Sequence, residues 1–207
     1  MRVLVPFDAR DPKTGLASVL DDAERRAFAD AMLADVLETL AVAEHDARVL
    51  ATAPVECVAP VTVDERPLTP AVNAALADAE LPLVVVMADL ALLTPAALTR
   101  LVEPDADVVI APGIGGGTNA LVVRHPGFRV DYHGASYRDH RERAADCGAS
   151  LATVDSFRLA ADVDDPSDFV ELLLHGEGRA RDWLREAGFE VVASDGRTTA
   201  RRRDDTD

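Results

Sequence analysis

One lysine and one aspartate in this sequence have the types and positions that phosphate and metal chemistry require. Asp89 follows the all-apolar run Leu83–Met87 almost directly. A carboxylate at the end of a buried strand is poorly solvated, and its burial is costly unless it is paired or binds a cation. Lys13 is the only lysine beside 20 arginines, and its compact ammonium suits phosphate oxygens. We predict a site for a phosphorylated substrate; the structural alternative for Asp89 is a turn cap.

A second acidic stretch, Asp162-Val163-Asp164-Asp165, precedes a proline. Alternation along the chain points Asp162 and Asp164 to the same side, whereas Asp165 is more simply explained as a helix N-cap. Together with Asp89, these two carboxylates offer the oxygen ligands that Mg²⁺ prefers. We therefore predict Asp89, Asp162 and Asp164 as metal ligands. The alternative is a solvated acidic turn in an acidic protein.

The third candidate is the glycine-rich stretch GGGTNA, residues 115–120. Consecutive glycines let backbone N–H groups approach a ligand, and Thr118 and Asn119 add side-chain donors. It is not a Walker A loop, because no Gly-Lys-Ser/Thr follows. Further along, Gly134 precedes a predicted helix that starts at Ser136, whose free N–H groups can hold an anion. A flexible turn and a salt-bridged surface helix are the respective alternatives.

These candidates lie between alternating strands and helices. The apolar runs Leu83–Met87 and Asp107–Ala111 are typical of strands buried on both faces of a parallel sheet. Asp21 and Glu24 form a capping box before a long amphipathic helix. The alternation predicts one α/β domain over residues 1–193, with a doubly wound, Rossmann-like and mostly parallel sheet flanked by helices. In such folds, ligands bind at the carboxyl ends of the strands.

Composition limits the partners and the location. A net charge of −16 over 207 residues argues against a nucleic-acid partner, which needs a basic surface; cells with high internal salt favour such acidic surfaces. No membrane-length apolar run or signal pattern is present, and Cys57 and Cys147 are interpreted as buried thiols of a reducing compartment. We expect a cytoplasmic protein without a membrane partner. The polar residues 194–207 predict a disordered tail.

In order and spacing, five stretches resemble the 2-phospho-L-lactate guanylyltransferase family: RVLVPFDARDPKT, VVVMADLALL, GIGGGTNAL, YHGASYRDH and DVDDPSDFVELLLHG. The resemblance spans residues 1–193 and implies a nucleotidyltransferase fold. It implies transfer of GMP from GTP, with Mg²⁺, to 2-phospho-L-lactate or a related phospho-acid such as phosphoenolpyruvate. The products are lactyl-2-diphospho-5′-guanosine and pyrophosphate, in coenzyme F-420 biosynthesis; the assembly considered is a homodimer. Rival hypotheses are another transferase of this fold (for molybdenum cofactor or sugar phosphates) and an inactive GTP-binding regulator.

The resemblance also assigns roles to individual residues. Lys13 and Thr14 match the family's triphosphate-binding loop, and Asp89 matches its metal-binding aspartate. Lys13 and Asp89 are thus the predicted catalytic residues. The predicted nucleotide-binding residues are Pro6, Lys13, Thr14, Asn73 and Asp89. The predicted acceptor-binding residues are Thr118, Asn119, Gly134 and Ser136, and the predicted metal ligands are again Asp89, Asp162 and Asp164.

The first loop departs from the family pattern. Gly15 stands where the family has an arginine, Ser18 replaces a usual proline, and Ala91 replaces the proline of MADLP. Loss of an arginine from a triphosphate loop removes a bidentate phosphate contact. Two hypotheses remain open from the sequence: another arginine such as Arg10 compensates, or activity is reduced.

Overall fold

The computed structural model describes residues 1–194 and 196–203. Its main sheet contains seven strands: β1 Arg2–Phe7, β2 Asp46–Ala51, β3 Val61–Val63, β4 Leu83–Val86, β5 Val108–Pro112, β6 Thr118–Val123 and β7 Leu151–Thr153. Their order is β3-β2-β1-β4-β6-β5-β7. Strand β6 runs antiparallel to both of its neighbours, and the other pairings are parallel. The prediction of a mostly parallel α/β sheet is confirmed.

Seven helices accompany the sheet in the described residues: α1 Asp22–Val42, α2 Leu68–Asp78, α3 Pro95–Val102, α4 Ser136–Asp146, α5 Phe157–Ala160, α6 Phe169–His175 and α7 Arg179–Glu186. Helix α1 begins with the predicted capping box, because Asp21 accepts from the N–H groups of Ala23 and Glu24. Thr94 caps α3, ahead of a first-turn proline. Two 3₁₀ turns, Thr14–Leu16 and Pro166–Asp168, flank the site described below.

The central strands are buried on both faces, as their continuous apolar sequences indicate. In β4, Val84 and Val86 pack into a cluster with apolar residues of α1 and α3. Val85 points to the opposite face, where it packs into a cluster with residues of α2 and α4. Because successive side chains of a strand point to opposite faces, one apolar run contributes to the core on both sides of the sheet. Polar groups are left for the strand ends and the loops that follow them.

The prediction of a disordered tail from residue 194 is wrong for the part of the tail that the structure describes. Strand β8, Phe189–Ser194, pairs antiparallel with β9, Arg197–Arg202, in a separate two-stranded sheet. Ala200 of β9 packs against a third apolar cluster formed mainly by α1, α6 and α7. Arg202 also pairs with Glu24. A polar sequence forms a strand here because its partner and its apolar contacts come from elsewhere in the chain; residues 195 and 204–207 lie outside the description.

Two smaller expectations can be compared with the structure. Cys57 and Cys147 are unpaired, as predicted, but half-buried rather than buried. Across residues 1–194 and 196–203, no helix combines the length and the apolar character that crossing a membrane requires.

Candidate active site

A cleft of about 610 Å³ opens at the carboxyl ends of β1, β2 and β4. Pro6 and the loop after β1 form one side, including Lys13 and Thr14. Asp89, which follows β4, and Leu68 of α2 also line it. The volume is in the range of small-molecule sites. The parallel strands therefore bring most of the predicted nucleotide-binding residues to one edge of the sheet.

Lys13 lies between two carboxylates of the predicted metal site. Its Nζ donates to Asp89 Oδ2 at 2.6 Å and to Asp164 Oδ1 at 2.7 Å. The Lys13 side chain is 11% exposed and that of Asp89 is 19% exposed, whereas Asp164 is 65% exposed. Burial acts to lower the pKa of Lys13, but the charges of Asp89 and Asp164 outweigh it and raise the pKa. The lysine is therefore a fixed cation at the floor of the cleft.

The loop that carries Lys13 is held from α1 and by its own apolar anchor. Arg25 donates to Asp11 and to the backbone carbonyl of Pro12. Leu16, at the end of the 3₁₀ turn, is fully buried. Lys13 itself has φ 55°, in the left-handed region that non-glycine residues seldom adopt. Arg25 was not among the sequence candidates, since its contact with the loop depends on how α1 packs.

Gly15 allows this loop to lie directly against the second acidic segment. A Cβ at Gly15 would lie 2.5 Å from the backbone carbonyl oxygen of Asp164. Real Cβ atoms do not approach a backbone atom so closely, so an arginine at this position requires a different loop path. Of the two sequence hypotheses, compensation by Arg10 finds no support, because Arg10 pairs with Glu65 and does not line the cleft. Among the described residues that line the cleft, one is an arginine, Arg66.

Arg66 and Asp64 form a charged pair at the cleft wall that the sequence analysis did not single out. Arg66 Nε donates to Asp64 Oδ1 at 2.9 Å. Hydrogen bonds from Arg66 hold the pKa of Asp64 below its ordinary value. Their spacing of two residues in a loop after β3 carries no motif, so only the folded cleft identifies them.

Asp162 is half-buried and close enough to Asp89 to interact with it electrostatically. Burial, and after it the charge of Asp89, raises the pKa of Asp162. Asp162 and Asp164 flank the buried Val163; Asp162 interacts with Asp89, and Asp164 accepts from Lys13. Asp165 occupies the N-cap position of the 3₁₀ turn, as predicted.

The residues present fit a divalent cation, although the described residues contain no preformed group of three acidic, histidine or cysteine ligands. Asp89 Oδ1 is buried and has no hydrogen-bond partner. Asp162 is a neighbouring carboxylate whose charged form is disfavoured where it stands. A cation between these two groups would satisfy the orphaned oxygen and favour ionisation of the neighbour. Asp164 fits this role less well, because its carboxylate is mostly exposed to solvent.

The glycine-rich stretch is the turn of the β5–β6 hairpin, and it delivers Thr118 to the same edge of the sheet. Val86 pairs with Ala120, and the Met87 N–H donates to the Asn119 carbonyl at 3.0 Å. Thr118, the first residue of β6, therefore lies beside the exit of β4 that leads to Asp89. Thr118 is buried, and its Oγ1 lies 2.9 Å from His140 Nδ1.

Gly134 and Ser136 stand at the start of α4, as predicted. Gly134 has φ 52°, and a Cβ there would meet no atom within 4 Å. The backbone at Gly134 is thus open to a ligand. The N-cap of α4 is Ala135 and makes no side-chain capping bond, so Ser136 is not the capping serine. Tyr137 N–H donates to the Gly116 carbonyl at 3.2 Å, which ties α4 to the glycine-rich turn.

Two predicted binding residues have their side-chain amides occupied by the protein itself. Asn73 donates to the Val130 carbonyl at 2.9 Å and accepts from the Val130 N–H at 2.8 Å. It does not line the cleft, so the geometry gives it a role in joining α2 to the loop after β6. Asn119 is buried and donates to the Ala160 carbonyl at 3.2 Å. Its contacts support the acidic segment rather than an acceptor.

Comparison with known proteins identifies the family of this chain. Residues 1–204 match the family model described as "Guanylyl transferase CofC like". A 2-phospho-L-lactate guanylyltransferase from Haloferax volcanii is 62% identical over 203 residues, covering 98% of each chain. The enzyme of the same name from Halomicrobium mukohataei is 60% identical and covers 98% of this chain and 100% of the relative.

Solved structures resemble the fold at low identity. A nucleotide-diphospho-sugar transferase structure from Desulfovibrio desulfuricans superposes with a TM-score of 0.74 at 15% identity, covering 89% of this chain and 94% of that one. A Mycobacterium tuberculosis protein solved in complex with manganese has a TM-score of 0.53 at 20% identity, covering 84% of this chain and 97% of that one. At these identities, the likeness establishes the nucleotidyltransferase fold.

Proposed function

Because this chain belongs to the guanylyl transferase CofC like family, we propose that it transfers GMP from GTP to 2-phospho-L-lactate, in coenzyme F-420 biosynthesis. The near-full-length relatives at about 60% identity carry the name of this activity. The observation in the structure that supports it best is the buried ammonium of Lys13 beside Asp89, at the floor of a nucleotide-sized cleft. The products are lactyl-2-diphospho-5′-guanosine and pyrophosphate.

The reaction joins two anions, so positioning and charge neutralisation dominate it. A phosphate oxygen of the acid attacks the α-phosphorus of GTP, and the bond from that phosphorus to the bridging oxygen of pyrophosphate breaks. No general base is required, because the attacking phosphate is already ionised. Lys13 would stabilise the negative charge that builds on the departing pyrophosphate, with Thr14 beside it in the loop.

We propose a divalent metal as the cofactor, with Asp89 and Asp162 as the residues that would hold it. The support is the unpartnered Asp89 Oδ1 next to Asp162, together with the manganese bound to a structural neighbour. Bound there, Mg²⁺ or Mn²⁺ would supply neutralisation of phosphate charge. Asp164 remains a predicted ligand, through the carboxylate oxygen that does not accept from Lys13.

The acceptor would bind between the glycine-rich turn and the start of α4. Thr118 offers a hydroxyl, Gly134 an open backbone, and Ser136 a hydroxyl that does not cap its helix. The N-terminus of α4 favours an anion. Cytoplasmic location, the lack of nucleic-acid and membrane partners, and assembly as a homodimer are parts of the same proposal; light scattering after size-exclusion chromatography tests the homodimer.

A pyrophosphate-release screen tests the proposed function. GTP, ATP, CTP and UTP are combined with 2-phospho-L-lactate, phosphoenolpyruvate, 3-phosphoglycerate, a sugar phosphate and molybdopterin, with Mg²⁺ at high and low salt. We expect release with GTP and 2-phospho-L-lactate, and the guanylylated acid as the product in mass spectrometry. Release only with a sugar phosphate or molybdopterin would assign another transferase of this fold. GTP binding without release for any acceptor would assign the inactive regulator.

A further inference from the structure

His140 is a buried histidine that contacts Thr118, one of the predicted acceptor-binding residues. It lies on α4, one turn after Ser136, and is fully buried. Its Nε2 accepts a hydrogen bond from the Asp131 N–H at 2.8 Å, and its Nδ1 lies 2.9 Å from Thr118 Oγ1. The ring packs edge-on against Tyr132, with ring centroids 5.0 Å apart. One side chain thus contacts β6 and the loop that leads to Gly134.

These contacts fix the tautomer of the ring. A backbone N–H can only donate, so Nε2 of His140 must carry a lone pair. The neutral ring therefore carries its hydrogen on Nδ1 and donates it to Thr118 Oγ1. Burial lowers the pKa of His140 to about 4, although the charges of Asp131 and Asp139 act to raise it. The histidine is neutral at the pH of a cell.

The fixed tautomer determines what the Thr118 hydroxyl can offer a ligand. Because Oγ1 accepts from His140, the Thr118 hydrogen is directed elsewhere, as a donor. Within the described part of the chain, the Thr118 hydroxyl has one hydrogen-bond partner, which is His140. The acceptor substrate carries a carboxylate and a phosphate, and both accept hydrogen bonds. A hydroxyl committed to donating is therefore matched to this class of substrate.

We propose that His140 is a positioning residue for the acceptor: it orients the Thr118 hydroxyl as a donor and holds the loop from Asp131 to Gly134 against α4. The inference rests on the proposed function, because it concerns how that phospho-acid is bound. It differs from a purely structural role, in which His140 fills the core and its hydrogen bonds only satisfy buried groups. A structural role predicts changes in stability without a selective change in acceptor binding.

Two substitutions separate the two hydrogen bonds of the ring. In His140→Asn, the amide nitrogen lies near the position of Nδ1 and retains the donor to Thr118. In His140→Gln, the amide oxygen reaches toward the position of Nε2 and retains the acceptor for Asp131, while the Thr118 donor is lost. Thr118→Val removes the hydroxyl itself, and His175→Gln on α6 is the control for a histidine outside the site.

We expect His140→Gln and Thr118→Val each to raise the KM for 2-phospho-L-lactate roughly tenfold or more, the loss typical of one hydrogen bond to a charged group. The KM for GTP should stay within about twofold, since the nucleotide lies in the cleft of Lys13. The double variant should lose no more kcat/KM than the worse single variant, because both remove one interaction. His140→Asn should lose less than His140→Gln. Equal effects on both KM values, or a fall in Tm alone, would overturn the proposal.

A measurement without turnover distinguishes failure of this inference from failure of the proposed function. If the wild-type protein releases no pyrophosphate with any phospho-acid, the proposed function fails, and nitrogen-15 NMR of labelled histidine still tests His140. We expect protonated Nδ1, unprotonated Nε2, and a shift of the Nδ1 signal on titration with inorganic phosphate that Thr118→Val abolishes. The opposite tautomer, or a signal that phosphate leaves unchanged, would overturn the assignment of His140.

Discussion

At the scale of single residues, the candidate site depends on charges that neutralise one another across the cleft floor. Lys13 bonds both Asp89 and Asp164, and Asp89 keeps one oxygen without a partner. Asp89 is therefore bonded to the lysine through Oδ2, its Oδ1 is free, and Asp162 interacts with it electrostatically. Each group can therefore be changed separately, and the effects of removing the cation and the anion should differ.

We predict that Asp89→Asn abolishes metal-dependent turnover and leaves the fold intact. The amide keeps the shape of the side chain but removes the charge that would hold a divalent cation. Pyrophosphate release should fall about 100-fold or more, the scale seen when one key electrostatic group is lost, and thermal unfolding checks the fold. Asp146→Asn, at the exposed end of α4, is the control. Near-normal release by the Asp89 variant would remove Asp89 from the site.

Lys13→Met tests the cation directly, because methionine retains much of the side-chain volume without the charge. We expect a loss of roughly 2 kcal/mol or more of transition-state stabilisation, or about 30-fold in kcat/KM. Lys13→Arg should recover part of this loss, since it keeps the charge but not the compact ammonium. A change below about threefold for Lys13→Met would place the lysine outside the catalytic machinery.

Ser136→Ala should raise the KM for the acceptor several-fold and leave the KM for GTP unchanged. Since Ala135, and not Ser136, occupies the N-cap of α4, the Tm should change little. Loss of a capping side chain would instead lower stability by about 1 kcal/mol. Both KM values and the Tm are measured on one variant. If only the Tm moves, Ser136 supports the helix, and the acceptor must bind elsewhere.

At the scale of elements, the site depends on a close approach between the loop after β1 and the acidic segment before α6. Gly15 permits that approach, because any Cβ there would meet the Asp164 carbonyl. The glycine at position 15 is therefore coupled to the path of the neighbouring segment. An arginine introduced at position 15 would not by itself create a phosphate contact, since the backbone would have to move first.

Gly15→Ala should destabilise the fold by about 1–3 kcal/mol, the cost typical of overpacking, and weaken GTP binding because the loop shifts. Gly115→Ala is a matched control, since a Cβ at Gly115 meets no atom within 4 Å. Chemical denaturation and GTP titration of both variants check this prediction. Equal stability of the two variants would show that the loop near Gly15 can shift to accommodate a Cβ without loss of stability.

At the scale of the whole molecule, the net charge is −16. The surface carboxylates therefore repel one another and also repel the anionic substrates. Within the site, Lys13 and Arg66 line the cleft and offset this repulsion locally. Elsewhere, the repulsion among surface carboxylates opposes compaction. Salt reduces such repulsion, because the screening length falls from about 10 Å at 0.1 M to about 3 Å at 1 M.

We therefore predict that the Tm rises with potassium chloride, by several degrees or more between about 0.1 M and 1 M. Sodium chloride at the same concentrations is the control, since screening does not distinguish the two cations. Thermal unfolding followed by circular dichroism measures the effect. A Tm that stays constant or falls in both salts would show that surface repulsion does not limit stability.

The sequence by itself determined the buried strands and the residue types offered for the candidate site. Apolar runs such as Leu83–Met87 predict strands buried on both faces. Successive side chains point to opposite faces of a strand, so an all-apolar run makes both faces apolar. The order of strands and helices then places Lys13, Asp89 and the glycine-rich turn at one sheet edge. Residue type supplied the rest, since an isolated lysine and carboxylates at strand ends indicate phosphate and metal chemistry.

Only the tertiary structure decided which polar groups remain available to a ligand. Asn73 and Asn119 have suitable side chains, but both are occupied by backbone groups of distant segments. Arg25 lies in none of the quoted motifs and His140 is only the last residue of YHGASYRDH; both act through contacts with Pro12 and Thr118 that helix packing creates. The strand Arg197–Arg202 forms because β8 offers a partner. Local sequence encodes propensity, whereas hydrogen-bond partners far apart in the chain are fixed only when the chain folds.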